Sequence, residues 1–140
     1  NNCAWALKMD IASFFDNLDL PLLYTLVNRH IKDRALLQLI FTCITMGAVT
    51  PLMEWKDRTK GIPQGAILSP LMANLYLHEL DMFMKGKKVA YLRYADDFIV
   101  FCKNKQEAEA TFAQIKQFVE GNLLLQFNPS SGISALETGV

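Results

Sequence analysis

Residues 89–103 read Val-Ala-Tyr-Leu-Arg-Tyr-Ala-Asp-Asp-Phe-Ile-Val-Phe-Cys-Lys. Two apolar runs rich in aromatic and β-branched residues, Val89–Tyr94 and Phe98–Lys103, flank Ala95, Asp96 and Asp97. This pattern predicts a β-hairpin with two carboxylates at its tip. Far upstream, Trp5–Asp10 alternates as a strand and also ends on a carboxylate. If the two strands are sheet neighbours, Asp10 meets the hairpin tip at one edge.

The rest of the chain supplies cover for such a sheet. Pro21 opens a helix running to about His30. Asp33 caps a second, with Leu36, Leu37, Ile40, Phe41 and Ile44 at helical spacing and Gly47 at its end. Val49–Lys60 reads as irregular or hairpin, and Gly61–Gly65 as a loop. Ser69-Pro70 starts a helix to about Met84 that is expected to bury Leu71, Leu75, Leu80 and Phe83. Asn104 with Glu107 forms a capping box for a helix ending near Gly121, burying Ala108, Phe112, Ile115 and Val119. Leu123–Asn128 and Ile133–Leu136 read as a final hairpin around the turn Pro129–Gly132. The order predicts an α+β fold, an antiparallel sheet with helices packed on one face.

Composition narrows the function. The 140 residues suit one domain, and 51% hydrophobic with 20% charged residues excludes a disordered chain. Fourteen basic residues balance fourteen acidic ones. A free-standing nucleic-acid-binding module is usually strongly basic, so any such grip lies mostly outside this chain. The chain opens at Asn1 without a secretory signal and reads as a piece of something longer. The uncharged run Ala35–Met53 is broken by Gln38, Thr42, Thr45, Gly47, Thr50 and Pro51, which argues for a buried helix and a turn, not a membrane span. Cys3, Cys43 and Cys102 are too few and too far apart for a disulfide or metal framework. Buried reduced thiols in a cytoplasmic protein are expected.

Three converging carboxylates repel one another and stay ionised together only with cations between them. Hard oxygen donors suit Mg²⁺, and two such ions about 4 Å apart can activate a hydroxyl and stabilise a leaving pyrophosphate. The backbone carbonyl of Ile11 is a candidate further ligand. The plainer alternative is that Asp-Asp is ordinary turn chemistry and Asp10 an ordinary strand end.

What favours the chemical reading is a set of segments in order: Met9-Asp10-Ile11-Ala12-Ser13-Phe14-Phe15-Asp16, Gly61-Ile62-Pro63-Gln64-Gly65-Ala66-Ile67-Leu68-Ser69-Pro70, and Tyr94-Ala95-Asp96-Asp97. Together they resemble the palm of reverse transcriptases, and are most similar to the bacterial group II intron lineage with its CRISPR-associated relatives. Ala73-Asn74-Leu75-Tyr76-Leu77-His78-Glu79-Leu80-Asp81 resembles that lineage too, and the likeness runs from about Lys8 to about Pro129.

The resemblance implies a single palm domain over residues 1–140, with fingers before Asn1 and a thumb after Val140 both absent. It implies RNA-directed DNA synthesis on an RNA template, from a DNA or RNA primer and deoxynucleoside triphosphates. Asp10, Asp96 and Asp97 match the metal-binding catalytic aspartates for two Mg²⁺ ions, for which Mn²⁺ can substitute. Phe15, five residues after Asp10, stands at the steric-gate position, where a ring would exclude a ribose 2′-OH. Its alternative is a core aromatic. Phe14 and Phe15 point to opposite sides if their segment is extended. Gln64, between Pro63 and Gly65, matches a position near the incoming nucleotide and template. Tyr94 lies near the primer end or is a buried strand tyrosine. Arg93, Lys85, Lys87 and Lys88 are phosphate contacts or a solvated turn. Trp5 and Trp55 read as packing, and His30 and His78 are assigned no role.

One departure stands out. The lineage usually carries a lysine, thought to protonate pyrophosphate, where this chain has Ser131, and no Lys or Arg follows Lys116. Two rivals remain. A palm polymerase making RNA is disfavoured by Phe15; a non-catalytic binding or assembly module is kept open by Ser131.

Overall fold

A computed structural model describes residues 3–46, 48–49, 55–56, 60–87 and 89–136. Eleven elements follow in chain order: β1 (Trp5–Asp10), α1 (Phe14–Asn17), α2 (Leu20–His30), α3 (Arg34–Thr45), β2 (Ala48–Val49), β3 (Trp55–Lys56), α4 (Ser69–Lys85), β4 (Ala90–Tyr94), β5 (Asp97–Cys102), α5 (Lys105–Asn122) and β6 (Gly132–Ala135). Contacts group them into two compact units, Asn1–Ala12 with Leu77–Val140, and Ser13–Tyr76.

The first unit holds an antiparallel sheet in the order β4-β5-β1-β6. The expected hairpin is β4 and β5. Directly opposed residues share a face of an antiparallel pair, so the register sorts every side chain. Met9 faces Phe98, Leu7 faces Val100 and Trp5 faces Cys102 on one side. Of these, Leu7, Met9, Phe98, Val100 and Cys102 are buried, and α5 covers them with Ala108, Ile115 and Val119. Phe83 of α4 stacks on Phe118 of α5 at 4.2 Å between centroids. The other face carries Ala6, Lys8 and Asp10 of β1 beside Phe101, Ile99 and Asp97 of β5. There Leu92 and Tyr94 are exposed, and Lys8, Leu92, Tyr94, Asp97 and Ile99 border a shallow cavity of about 300 Å³.

Capping follows the sequence. Asp19, Asp33 and Asn104 accept from the amides of Leu22, Leu36 and Glu107, and Glu107 returns a bond from the amide of Lys103. Four expectations need correction. The buried stripe of α4 is Met72, Tyr76, Leu80 and Met84, while Leu71 is 58% exposed, so the helix is rotated from the expected phase. Leu36 is likewise 45% exposed and α3 buries Leu37, Ile40 and Ile44. Residues 123–128 form no strand: Leu124 turns with φ 55°, and one bridge joins Phe127 to Ile11. β6 therefore pairs with the free edge of β1 instead of closing a last hairpin, because that edge offers a longer row of unsatisfied backbone groups. Finally, Cys102 is buried but Cys43 is exposed.

In the second unit, α1 closes a tight loop. The segment expected to be extended is helical, so Phe14 and Phe15 are not on opposite sides; Phe14 is buried, Phe15 half-buried, and their rings meet at 5.3 Å. Tyr76 is fully buried against Phe14, and burial raises its phenol to about 12 despite a backbone hydrogen bond with Asp19. The amides of Gly61 and Ile62 donate to the carbonyls of Leu18 and Phe15 at 2.9 and 2.8 Å. Ala48–Val49 pairs with Trp55–Lys56. The side chain of Trp55, and Lys88, lie outside the described residues.

Gly61 gives this unit its most sensitive position. At φ 74°, a Cβ there would lie 2.6 Å from the carbonyl oxygens of Phe15 and Asp16, which are backbone and cannot swing away. Gly61→Ala is expected to destabilise by roughly 2–5 kcal/mol, summing the left-handed and overpacking costs. Gly65 has φ 84° but open space around it, so Gly65→Ala is expected to cost only about 1–2 kcal/mol. Thermal unfolding of the two variants checks the difference.

Candidate active site

The edge where β1, β4 and β5 end carries the acidic groups. Asp10 pairs with Asp97, and Asp97 with Tyr94, so the three side chains form one row on the open sheet face. Asp10 is half-buried, Asp97 is exposed, and Tyr94 is 87% exposed, which excludes a buried strand tyrosine. Asp96 shares the two-residue tip with Ala95, whose φ of 54° is left-handed. For an alanine that costs about 1–2 kcal/mol. Burial raises the Asp96 carboxyl above the usual range, a backbone hydrogen bond opposes this, and the charges of Asp10 and Asp97 raise it further. Asp96 therefore feels the charges of Asp10 and Asp97 as well as its own burial.

Do these residues suit a divalent cation? The donors are hard oxygens at an open edge, and one is already disfavoured as an anion, first by burial and then by the charges of the other two. That chemistry fits magnesium. Among the described residues, however, no group of three His, Cys, Asp or Glu is drawn together closely enough to enclose an ion. Ile11 is 2% exposed and bridges to Phe127.

The remaining candidates lie in the second unit. Pro63 is half-buried, and its carbonyl accepts from the Ser69 hydroxyl at 2.5 Å. Gln64 and Gly65 are exposed at the turn that follows. Phe15 sits beside this loop through the Phe15–Ile62 backbone bond. The structure thus places Phe15, Pro63, Gln64 and Gly65 in one unit, and Asp10, Asp96, Asp97 and Tyr94 in the other.

Arg93 is not a free phosphate contact. Its guanidinium takes both oxygens of Asp81 on α4 and donates through Nη1 to the carbonyl of Ala95 at 2.9 Å. The Tyr91 hydroxyl donates to the same Asp81 at 2.9 Å. Sequence reading missed this network, although an arginine inside an apolar strand needs a partner. It ties α4 to the strained tip that carries Asp96. Lys87 instead lies over the Phe83 ring and donates to Gln114.

Burial alone would raise the Asp81 carboxyl, but hydrogen bonds from Arg93 and Tyr91, with the Arg93 charge, hold it below the usual range. A depressed folded value stabilises above the unfolded value of about 3.9 and loses that contribution as pH falls through the folded value. Asp81→Asn is expected to destabilise by roughly 1.5–3 kcal/mol at pH 7. The gap between variant and parent is expected to close as pH drops below about 4. Denaturant titrations across that range measure it.

Comparison with known proteins bears on the family and the fold. A family profile described as reverse transcriptase (RNA-dependent DNA polymerase) matches residues 1–130. The protein YkfC of Escherichia coli K12 is 28% identical over 89% of this chain and 41% of its own length. The group II intron-encoded protein LtrA of Lactococcus lactis is 40% identical over 68% of this chain and 16% of its own length. The chain thus spans less than half of either relative. Among solved structures, apo telomerase from Candida tropicalis superposes with a TM-score of 0.75 at 17% identity, covering 99% of this chain and 32% of that one. Telomerase from Candida albicans in complex with a fragment of telomeric RNA gives 0.73 at 12% identity, covering 99% and 27%. No helix among the described residues is long and apolar enough to cross a membrane. With an α+β palm fold and a family match across nearly its whole length, the chain belongs to the reverse transcriptase family.

Proposed function

We propose that this chain is the palm of an RNA-directed DNA polymerase, joining deoxynucleoside triphosphates to a primer 3′-OH on an RNA template. The fingers and thumb belong to the parent polypeptide, in keeping with relatives much longer than this chain. The observation that carries the reading is the row Asp10, Asp97 and Tyr94, with Asp96 beside it, its carboxyl raised by burial and by the charges of Asp10 and Asp97.

Asp10, Asp96 and Asp97, with the Ile11 carbonyl, are the groups to hold two magnesium ions. When bound, such ions make a hydroxyl a better nucleophile and offset charge on a leaving pyrophosphate. The chain's own part is to fix the carboxylates on strand ends, so that little reorganisation is needed when charge develops. Tyr94, exposed in the same row, offers a ring and a hydroxyl to the primer end. Phe15 is the ring that turns away a 2′-OH, and Pro63, Gln64 and Gly65 form the loop that receives the nucleotide. The missing basic charge is consistent with phosphate contacts made by other parts of the parent.

A non-catalytic palm is the second reading, and Ser131 favours it. Its hydroxyl is engaged with the peptide groups of Asp10 and carries no charge to a leaving group.

Primer extension by the full-length parent on an RNA template, with Mg²⁺, tests the proposal. Deoxynucleotides are expected to be incorporated, with a loss of about 100-fold or more in Asp97→Asn. Phe15→Ala is expected to admit ribonucleotides. Preference of the unaltered protein for ribonucleotides would indicate an RNA-making palm. A folded, RNA-binding parent without synthesis would favour the non-catalytic reading.

A further inference from the structure

We infer that Asn128 is a positioning residue for the Asp10 carboxylate; this rests on the cation-site reading above. After α5, the chain runs back along the end of β1. The amide of Ala12 donates to the carbonyl of Gln126 at 2.9 Å, and the amide of Asn128 to the carbonyl of Asp10 at 2.8 Å. The ladder between β1 and β6 begins only at Lys8 and Gly132. Between these stretches the chain turns away, closed by a bond from the Ser131 amide to the Asn128 carbonyl at 2.9 Å.

That turn leaves a gap in the ladder at the Asp10 amide, while the Asp10 carbonyl already accepts from the Asn128 amide. Ser131 fills the gap: its hydroxyl accepts from the Asp10 amide at 3.0 Å and donates to the Asp10 carbonyl at 3.1 Å. The backbone of Asp10 is thereby held. Its side chain is held separately. Nδ2 of Asn128 donates to Oδ2 of Asp10 at 3.2 Å, while the Asn128 Oδ1 accepts a long bond, 3.4 Å, from the Ser130 amide. The Ser130 bond selects which end of the amide faces the carboxylate.

The consequence for a cation is specific. A hydrogen bond to one carboxylate oxygen fixes the rotation of the group and leaves the other oxygen to face an ion. The donor is neutral, so it orients Asp10 without adding a positive charge that would compete with the cation. Ser131 fastens the main chain, whereas Asn128 aims the ligand.

Mn²⁺ titration of the purified chain, followed by electron paramagnetic resonance of the free ion, tests this alongside thermal unfolding in metal-free buffer. Asn128→Ala and the volume-preserving Asn128→Leu are both expected to bind Mn²⁺ roughly tenfold more weakly. Their unfolding temperatures are expected to stay near that of the parent. Ser131→Ala is expected to lower the unfolding temperature, and Ser131→Thr to restore it. Parental affinity in either folded Asn128 variant would overturn the positioning role. So would a fall in unfolding temperature in both variants that matches the loss of affinity, since that marks a structural role only. If the parent binds Mn²⁺ no better than Asp10→Asn, the cation-site reading fails and takes this inference with it.

Discussion

The pairing of β1 with β5 is the constraint on which the rest depends. Six consecutive residue pairs, from Trp5 with Cys102 to Asp10 with Asp97, fix which side chains are inside and which are out. A slip of β1 by one residue against a fixed β5 would turn Leu7 and Met9 to solvent and bury Lys8 and Asp10. The apolar face therefore enforces the acidic row. Burial of ordinary core residues does the work of placing two carboxylates opposite each other, against their mutual repulsion.

Polar groups then secure what the core leaves loose. The hairpin tip is strained at Ala95, and the Asp81–Arg93 pair reaches from α4 to its carbonyl. On the other side of Asp10, the turn at residues 128–131 interrupts the ladder and replaces it with side-chain bonds. Strand ends are where ladder hydrogen bonding runs out, and such ends suit ligands because their backbone can be held by side chains specific to the site. The same edge carries unfavourable charge, as Asp96 shows. A cation would relieve it.

Much of this was legible in the sequence, for reasons tied to particular residues. The hairpin showed because two apolar runs flank Asp96 and Asp97, and β1 because it alternates. Two of the three caps, Asp33 and Asn104 with Glu107, were readable, since capping depends on contacts three residues away; Asp19 was not read as one. The face of α4 was misread because its apolar residues surround most of the helix, so sequence alone does not choose between Leu71 and Met72 as the buried phase. The partner of β6 was misread because strand pairing is decided by distant edges, and a nearby run looked equally able to pair. The bonding of Asn128 and Ser131 to Asp10 gave no signal: Asn-Pro-Ser-Ser is turn composition, and the bonds span 118 and 121 residues. Asp81 was visible only as part of a helix, while its partner Arg93 was twelve residues away.

Paramagnetic broadening of backbone amide signals by Mn²⁺ tests the central claim most directly. The account predicts that substoichiometric Mn²⁺ broadens the amides around Asp10 and those of Ala95–Phe98 together, and that Asp97→Asn abolishes both effects at once. Broadening confined to one of the two segments, or undiminished in Asp97→Asn, would contradict a single site built by the β1–β5 register.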